Sequence, residues 1–258
     1  MIRSALNSDK FSVLDFCRDT FSWGDYIQDV WEHWLSEGNL FLIEKQYPIG
    51  MCHAFFSTEQ VWLEGIRIKS NFRRHGLASE LVRHIELIAK GKQIPFSSML
   101  IDTENLSSLK MAENLNYKIF QTWNFYSISP QNNNNYKIQF DRVLNLTNIT
   151  QYVKSWRWLV LDENTLLSLY KQNKIIFSDK FGDVSTAILT DSEHFDKTLI
   201  ITLFSGSEQN TLNLLSYIQN YGAEKNYNKI QILSKEKLPL LNTLDHKITF
   251  NLMKKFLY

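Results

Sequence analysis

Apolar residues recur along this chain with two periods, and the alternation between them lays out the elements. Leu77, Leu81, Ile85 and Ile88 fall on one face of a 3.6-residue repeat, which predicts an amphipathic helix running to about Lys90. The same spacing in Tyr26, Val30, Trp31, Trp34 and Leu35 predicts a helix over DYIQDVWEHWLSEG, and SVLDFCRDTF precedes it as another. Short apolar runs bounded by turn residues predict strands at IRSAL, LFLIEK, IGMCHAFF, VWLEGIRI and SSMLIDT, with YKIFQTWNFYSI after a short helix in NLSSLKMAENLN. Antiparallel hairpins thus come first, and a strand–helix–strand crossover follows.

Residues 129–136, SPQNNNNY, interrupt the pattern. Four consecutive asparagines beside a proline neither pack nor sustain a helix, so a linker is expected over 130–136, between domains at 1–129 and 137–258. Beyond it the order repeats: strand WRWLVLD, helix ENTLLSLYKQN, strands KIIFSDKF, STAILT and TLIITLF, helix TLNLLSYIQNYGAEK and strand KIQILS, with KITFNLMKKFLY at the end. Residues 198–234 imitate residues 61–102 in element order, which points to a duplicated α/β (α+β) architecture with a mixed central sheet flanked by helices.

Composition narrows the classes. The chain has 258 residues, is 44% hydrophobic and 21% charged, and carries a formal net charge of +1, so no global field favours a nucleic-acid partner. Cys17 and Cys52 are the two cysteines, with no metal-like spacing, and no metal is expected. No apolar run approaches membrane-spanning length and MIRSALNSDKF lacks a signal-peptide core, so a cytoplasmic protein without a membrane partner is expected. Oligomeric state is not readable. NLT and NIT at 145–150 match the glycosylation pattern but mean nothing in a cytoplasmic chain.

The chemistry gathers at SNFRRHGLASELVRHIELIAK, residues 70–90. A strand ends there and a long helix begins. The first N–H groups of a helix lack intrahelical partners and the macrodipole is positive there, so a turn bending N–H groups inward makes an anion cradle. Gly76 lets the backbone approach an anion closely, Ala78 keeps the helix near the sheet, and Arg73 and Arg74 suit phosphate oxygens.

RRHGLA, with Arg73, Gly76 and Ala78, followed by DTENLSSLKMAENLNY at 102–117, resembles the GNAT superfamily of acyl-CoA-dependent N-acyltransferases. The first pattern is similar to that family's Q/R-x-x-G-x-G/A pyrophosphate loop. The second, through Asn105, Ser108, Met111, Ala112, Asn116 and Tyr117, is similar to its later helix motif. The resemblance covers about the first 128 residues and implies a GNAT-like fold there, with a degenerate GNAT-like repeat or another α+β domain behind it. It implies acetyl-CoA as cosubstrate, its pantetheine arm along Ile66, Arg67 and Ile68, and its diphosphate in the loop of Arg73, Arg74, His75, Gly76, Leu77, Ala78 and Ser79. It also implies cofactor contacts at Asn105 and Ser108. Gly65 fits a strand bulge that points an N–H at the thioester carbonyl.

Transfer to a primary amine needs a proton acceptor. Glu64, the one carboxylate in VWLEGIRI, is the candidate base, with a structural ion pair or a solvated strand end as its other readings. His53 is a weaker candidate, read first as a hydrogen-bonded strand histidine. Ala112 stands where the family commonly places a general-acid tyrosine, so water or another group would protonate the thiolate, or the protein would be an impaired acyl-CoA sensor. Trp23, Tyr26 and Trp123 are assigned to the substrate side, where aromatics suit a flat or cationic amine, although most of the aromatics are read as core. The loop SGSEQN after TLIITLF has no arginine and carries Glu208, so one acetyl-CoA site per chain is expected.

Overall fold

The computed structural model describes residues 1–18, 20, 24–138 and 149–258. In chain order the elements are β1 (Ile2–Ser4), α1 (Lys10–Cys17), α2 (Ile27–Glu37), β2 (Leu40–Glu44), β3 (Pro48–Phe56), β4 (Gln60–Ile68), α3 (Leu77–Gly91), β5 (Phe96–Asp102), α4 (Leu106–Asn114) and β6 (Lys118–Ile128). There follow β7 (Gln151–Lys154), β8 (Arg157–Val160), α5 (Glu163–Lys171), β9 (Ile175–Ser178), β10 (Ser185–Asp191), β11 (Thr198–Phe204), α6 (Glu208–Glu224), β12 (Lys229–Ser234) and β13 (Leu244–Phe256). The architecture is mixed α/β, as the alternation of periods predicts. No helix among the described residues is long and apolar enough to cross a membrane.

The chain forms two compact units, and they differ from the division expected at the asparagines. One holds residues 1–121 together with 251–258, and the other holds 122–250. The asparagine stretch lies along α6 within the second unit: the Asn133 backbone N–H donates to Asn220 Oδ1 at 3.2 Å, and the Tyr136 ring meets Tyr217 edge to face at 5.2 Å. Asparagine side chains can bond to backbone as well as to water, so a sequence that cannot form a helix can still be laid down on one. The NLT sequon and all but the last two residues of NIT lie outside the described residues.

In the first unit the strand order is β1-β2-β3-β4-β5-β13. β2, β3 and β4 pair antiparallel, and β4 pairs parallel with β5 through the α3 crossover. Strand residues alternate faces. Cys52, Ala54, Val61 and Leu63 meet Leu81, Val82, Ile85 and Ala89 of α3 in the main core. His53 points the other way, and the Trp34 ring of α2 stacks on it at 4.8 Å.

Residues 251–258 complete this unit from the far end of the chain. Met253 and Leu257 are buried in its core, and the Leu257 N–H donates to the Pro95 carbonyl at 2.9 Å. Lys255 Nζ reaches Glu86 Oε2 at 2.7 Å, and Glu86 Oε1 accepts from the Tyr117 hydroxyl at 2.9 Å. Tyr117, expected as core, is fully buried and also bonds Ser97 Oγ at 2.5 Å. Burial and the Glu86 carboxylate push its phenol well above the ordinary tyrosine range.

The second unit has the order β6-β12-β11-β10-β9, with the antiparallel run β9-β10-β11 leading through α6 to the parallel strand β12. This is the path of β2-β3-β4-α3-β5, so the imitation seen between residues 61–102 and 198–234 is structural. The β7–β8 hairpin has only its second strand in the sequence reading. Its turn residues, Ser155 and Trp156, both have positive φ (49° and 64°), and without Gly or Asn they give no turn signal.

Leu257→Ala should lower stability by about 2–5 kcal/mol, the range for a fully buried leucine. The check is the denaturant midpoint followed by Trp fluorescence, and an unchanged midpoint would contradict the placement of the last strand.

Candidate acyl-CoA cleft

The site is built around Gly65. On β3 only Cys52 lies between the paired residues Met51 and His53, whereas on β4 both Gly65 and Ile66 lie between their partners Arg67 and Glu64. This is a β-bulge, and Gly65 has the positive φ (63°) that such a bulge favours. A Cβ here would come within 2.5 Å of Trp34 Cζ3, so only glycine fits beneath that ring. The extra residue reverses the alternation. Before it, Val61 and Leu63 pack in the α3 core. After it, Ile66 and Ile68 pack there while Arg67 turns to the opposite face.

Beyond the bulge β4 and β5 part. Their parallel pairing runs from Gln60↔Phe96 to Leu63↔Met99 and stops, although β4 continues to Ile68 and β5 to Asp102. The backbones of Arg67 and Ile68 pair with Met51 and Gly50 on one edge, which leaves their other edge toward the opening.

The loop after β4 leads to the start of α3. Arg74 and Gly76 both have positive φ, 67° and 79°, and Gly76 caps α3 with no side-chain hydrogen bond at the cap. Apart from its chain neighbours, no atom lies within 4 Å of a Cβ built on Gly76, so the space beside this residue is open. Alternation of left-handed residues with others turns successive N–H groups to one side, the geometry that binds anions. Arg73, Arg74, His75 and Gly76 are exposed and Leu77, Ala78 and Ser79 half-buried. Arg73 Nε donates to the Ile68 carbonyl at 2.9 Å, which ties the loop to the end of β4. Asn105 caps α4, its Oδ1 accepting from the Ser108 N–H at 3.1 Å and from Ser107 Oγ at 3.0 Å. Ala112 is fully buried in the core and offers no proton donor.

Glu64 sits directly before the bulge on the α2 side. Its Oε1 lies 2.9 Å from His53 Nδ1, and its side chain is 11% exposed. His53 is fully buried; its Nε2 lies 3.1 Å from the Gly38 carbonyl and 3.5 Å from Glu37 Oε2. His53 is therefore the hydrogen-bonded strand histidine expected of it. Glu37 escaped the sequence reading because nothing local marks a carboxylate at a helix end.

The substrate-side assignments fare unequally. Tyr26 is half-buried between the Arg67 guanidinium, 5.3 Å away, and the edge of Trp34 at 6.2 Å. Burial pushes its phenol up. Arg67 is held by Asp25 at 2.6 Å, and although burial opposes its charge, Tyr26 and Asp25 keep it protonated above its ordinary range. Trp123, assigned to the substrate side, is a core residue of the second unit, fully buried against Trp158 and Phe204. Trp23 lies outside the described residues.

The corresponding position in the second unit is closed. β11 and β12 pair over six residues, from Thr198↔Lys229 to Leu203↔Ser234, without parting. The Gly206 N–H donates to Ser185 Oγ and the Ser207 N–H to the Asp183 carbonyl, both at 2.9 Å. Asp183 and Val184 fill the space where a ligand would approach, their carbonyl oxygens 2.3 and 2.4 Å from a Cβ built on Gly206.

A bulged strand parting from its parallel neighbour, with a glycine-led helix after it, is the arrangement of the GNAT fold. Residues 8–117, which lie in the first unit, match the acetyltransferase (GNAT) family. Solved structures extend the likeness to the whole chain. A candidate acetyltransferase from Thermoplasma acidophilum aligns over 99% of both chains at 14% identity with a TM-score of 0.67. A GCN5-related N-acetyltransferase from Sphaerobacter thermophilus aligns over 100% of this chain and 95% of its own, at 12% identity and a TM-score of 0.66. A further candidate acetyltransferase, from Pyrococcus horikoshii, covers 99% of this chain and 89% of its own, at 14% identity and a TM-score of 0.57. At these identities the likeness is one of fold. No curated protein sequence matches the chain.

Gly76, which caps α3, and Gly206, which precedes the α6 cap Ser207, should respond differently to alanine. Gly76→Ala meets open space and should cost about 1–2 kcal/mol for its left-handed backbone alone. Gly206→Ala drives a methyl into two carbonyls and should cost more. Thermal melts of both variants check this, and equal losses would mean that the second loop is not closed.

Proposed function

We propose that this protein transfers an acetyl group from acetyl-CoA to a primary amine of a small molecule or peptide, using the first unit alone. The observation that carries the reading is the continuity of three features: the opening beyond Leu63↔Met99, the bulge at Gly65, and the uncapped, glycine-led start of α3. Acetyl-CoA supplies the activated acyl group. The free edge of Ile66, Arg67 and Ile68 would hold the pantetheine arm, and the N–H groups of Leu77, Ala78 and Ser79 the diphosphate, with Arg73, Arg74 and His75 beside it. Asn105 and Ser108, already joined in the α4 cap, border the opening at the end of β5. An N–H at the bulge would stabilise charge building on the thioester oxygen. Glu64 would accept the proton of the attacking amine. Tyr26 would line the acceptor side, with Trp23 as a further candidate there. We infer no metal in this chemistry.

Ala112 supports a second reading, an acyl-CoA-binding protein with impaired chemistry, because it leaves the usual position of the acid without a hydroxyl. Release of CoA thiol from acetyl-CoA against spermidine, single amino acids and a short peptide separates the two. Catalysed release with one amine class is expected, and binding without turnover against the whole panel would favour the second reading.

Titration calorimetry should find one CoA per chain, and two equivalent sites would contradict the closure of the second unit. Gly76→Val should abolish binding, and Arg73→Ala should weaken it by about 1.5–3 kcal/mol, the range for charge-assisted hydrogen bonds. Unchanged affinity in both would remove the cradle from the reading.

A further inference from the structure

The environment of His53 carries an inference about how the proposed base is held. The ring is fully buried and is stacked nearly parallel to Trp34, with an interplanar angle of 4°. Both of its nitrogens are engaged. Nε2 faces the Gly38 carbonyl at 3.1 Å, and a carbonyl only accepts, so Nε2 carries a hydrogen. Nδ1 lies 2.9 Å from Glu64 Oε1, and two lone pairs do not approach so closely without a proton between them. Ring and carboxyl therefore share one proton. Glu37 Oε2, 3.5 Å from Nε2, sets a second carboxylate on the other side of the ring. Carboxylates thus stand on both sides of the ring.

We propose that His53 is a positioning residue for the acetyl transfer. As an imidazolium clamped between Glu37 and Glu64, it keeps Glu64 ionised, with one carboxylate oxygen fixed, ready to receive the acceptor's proton. The inference rests on the reading of Glu64 as base. In the step itself the amine N–H bond breaks and an O–H bond forms on Glu64, while His53 keeps both of its protons. The positive ring offsets the cost of a carboxylate that is only 11% exposed.

Further groups face the pair. His33 and Glu37 face it from α2, with His33 Nε2 3.4 Å from Glu37 Oε1. Asp25 and Tyr26 precede α2, and Asp25 is matched by Arg67 of β4. Cys52 of β3 bonds the Glu64 carbonyl through Sγ at 3.7 Å. The ligand-type atoms of Glu37, His53 and Glu64 lie within 4.8 Å of one another. A single ion does not fit both contacts, because the two ring nitrogens point apart, one to Glu64 and the other to Glu37 and Gly38.

The test reads the ring and then the rate. In the full chain labelled with ¹⁵N-histidine, the His53 resonances at neutral pH should show both nitrogens protonated, and Glu64→Gln should strip the proton from Nδ1. This comparison needs no change at the buried ring. For the amine found active in the panel, His53→Gln should shift the acid limb of kcat/KM upward by about one pH unit or more, since a neutral amide no longer favours the carboxylate. A ring signal indifferent to Glu64→Gln would overturn the inference. So would a His53→Gln enzyme that is slower with its acid limb unmoved, or zinc alone binding at one per chain and lost in His53→Gln. Full turnover by Glu64→Gln would instead sink the base reading, a result that no property of His53 could produce.

Discussion

The first unit depends on one backbone position that cannot carry a side chain. Gly65 takes a left-handed conformation under the Trp34 ring, and from it three consequences follow. The extra residue reverses the faces of β4, which sends Arg67 to Asp25 and Tyr26. The strand then parts from β5. The carboxylate just before the bulge is brought against His53, whose other ring nitrogen faces Glu37. A sheet without the bulge would pair to its end, and β11 and β12 show that outcome within the same chain.

The two units thus present one architecture in an open and a closed form. The difference lies less in the helices and strands than in where backbone hydrogen bonds go. In the first unit the N–H groups at the start of α3 meet no capping side chain. In the second, Ser207 caps α6, and the loop before it spends its N–H groups on Ser185 and Asp183. Buried backbone groups are nearly always paired, so a site is kept only where the fold withholds partners.

Much of this was legible in the sequence. The elements follow from period, and the glycine-led turn into α3 follows from the residues around Gly76 because a strand, a turn and a helix carry their own local signals. Glu64 and Gly65 could be singled out as exceptions within an apolar strand. What was not legible depended on distance along the chain. Glu37 joins Glu64 only through folding, Trp123 looks the same in sequence whether it faces a cleft or a core, and the asparagine stretch gave no sign that α6 would receive it. Nor did KITFNLMKKFLY show that its last eight residues belong to the opposite end of the chain.

That last strand governs how the protein is made. Met253, Lys255 and Leu257 sit in the core and polar network of a unit whose other residues end at Gln121. On the ribosome, the first unit waits without its last strand while residues 122–250 are synthesised. At 5–20 residues per second the delay is roughly 6 to 26 seconds. The second unit, contiguous in sequence, can fold during that time, so the half of the molecule that carries the cleft is the last to become whole.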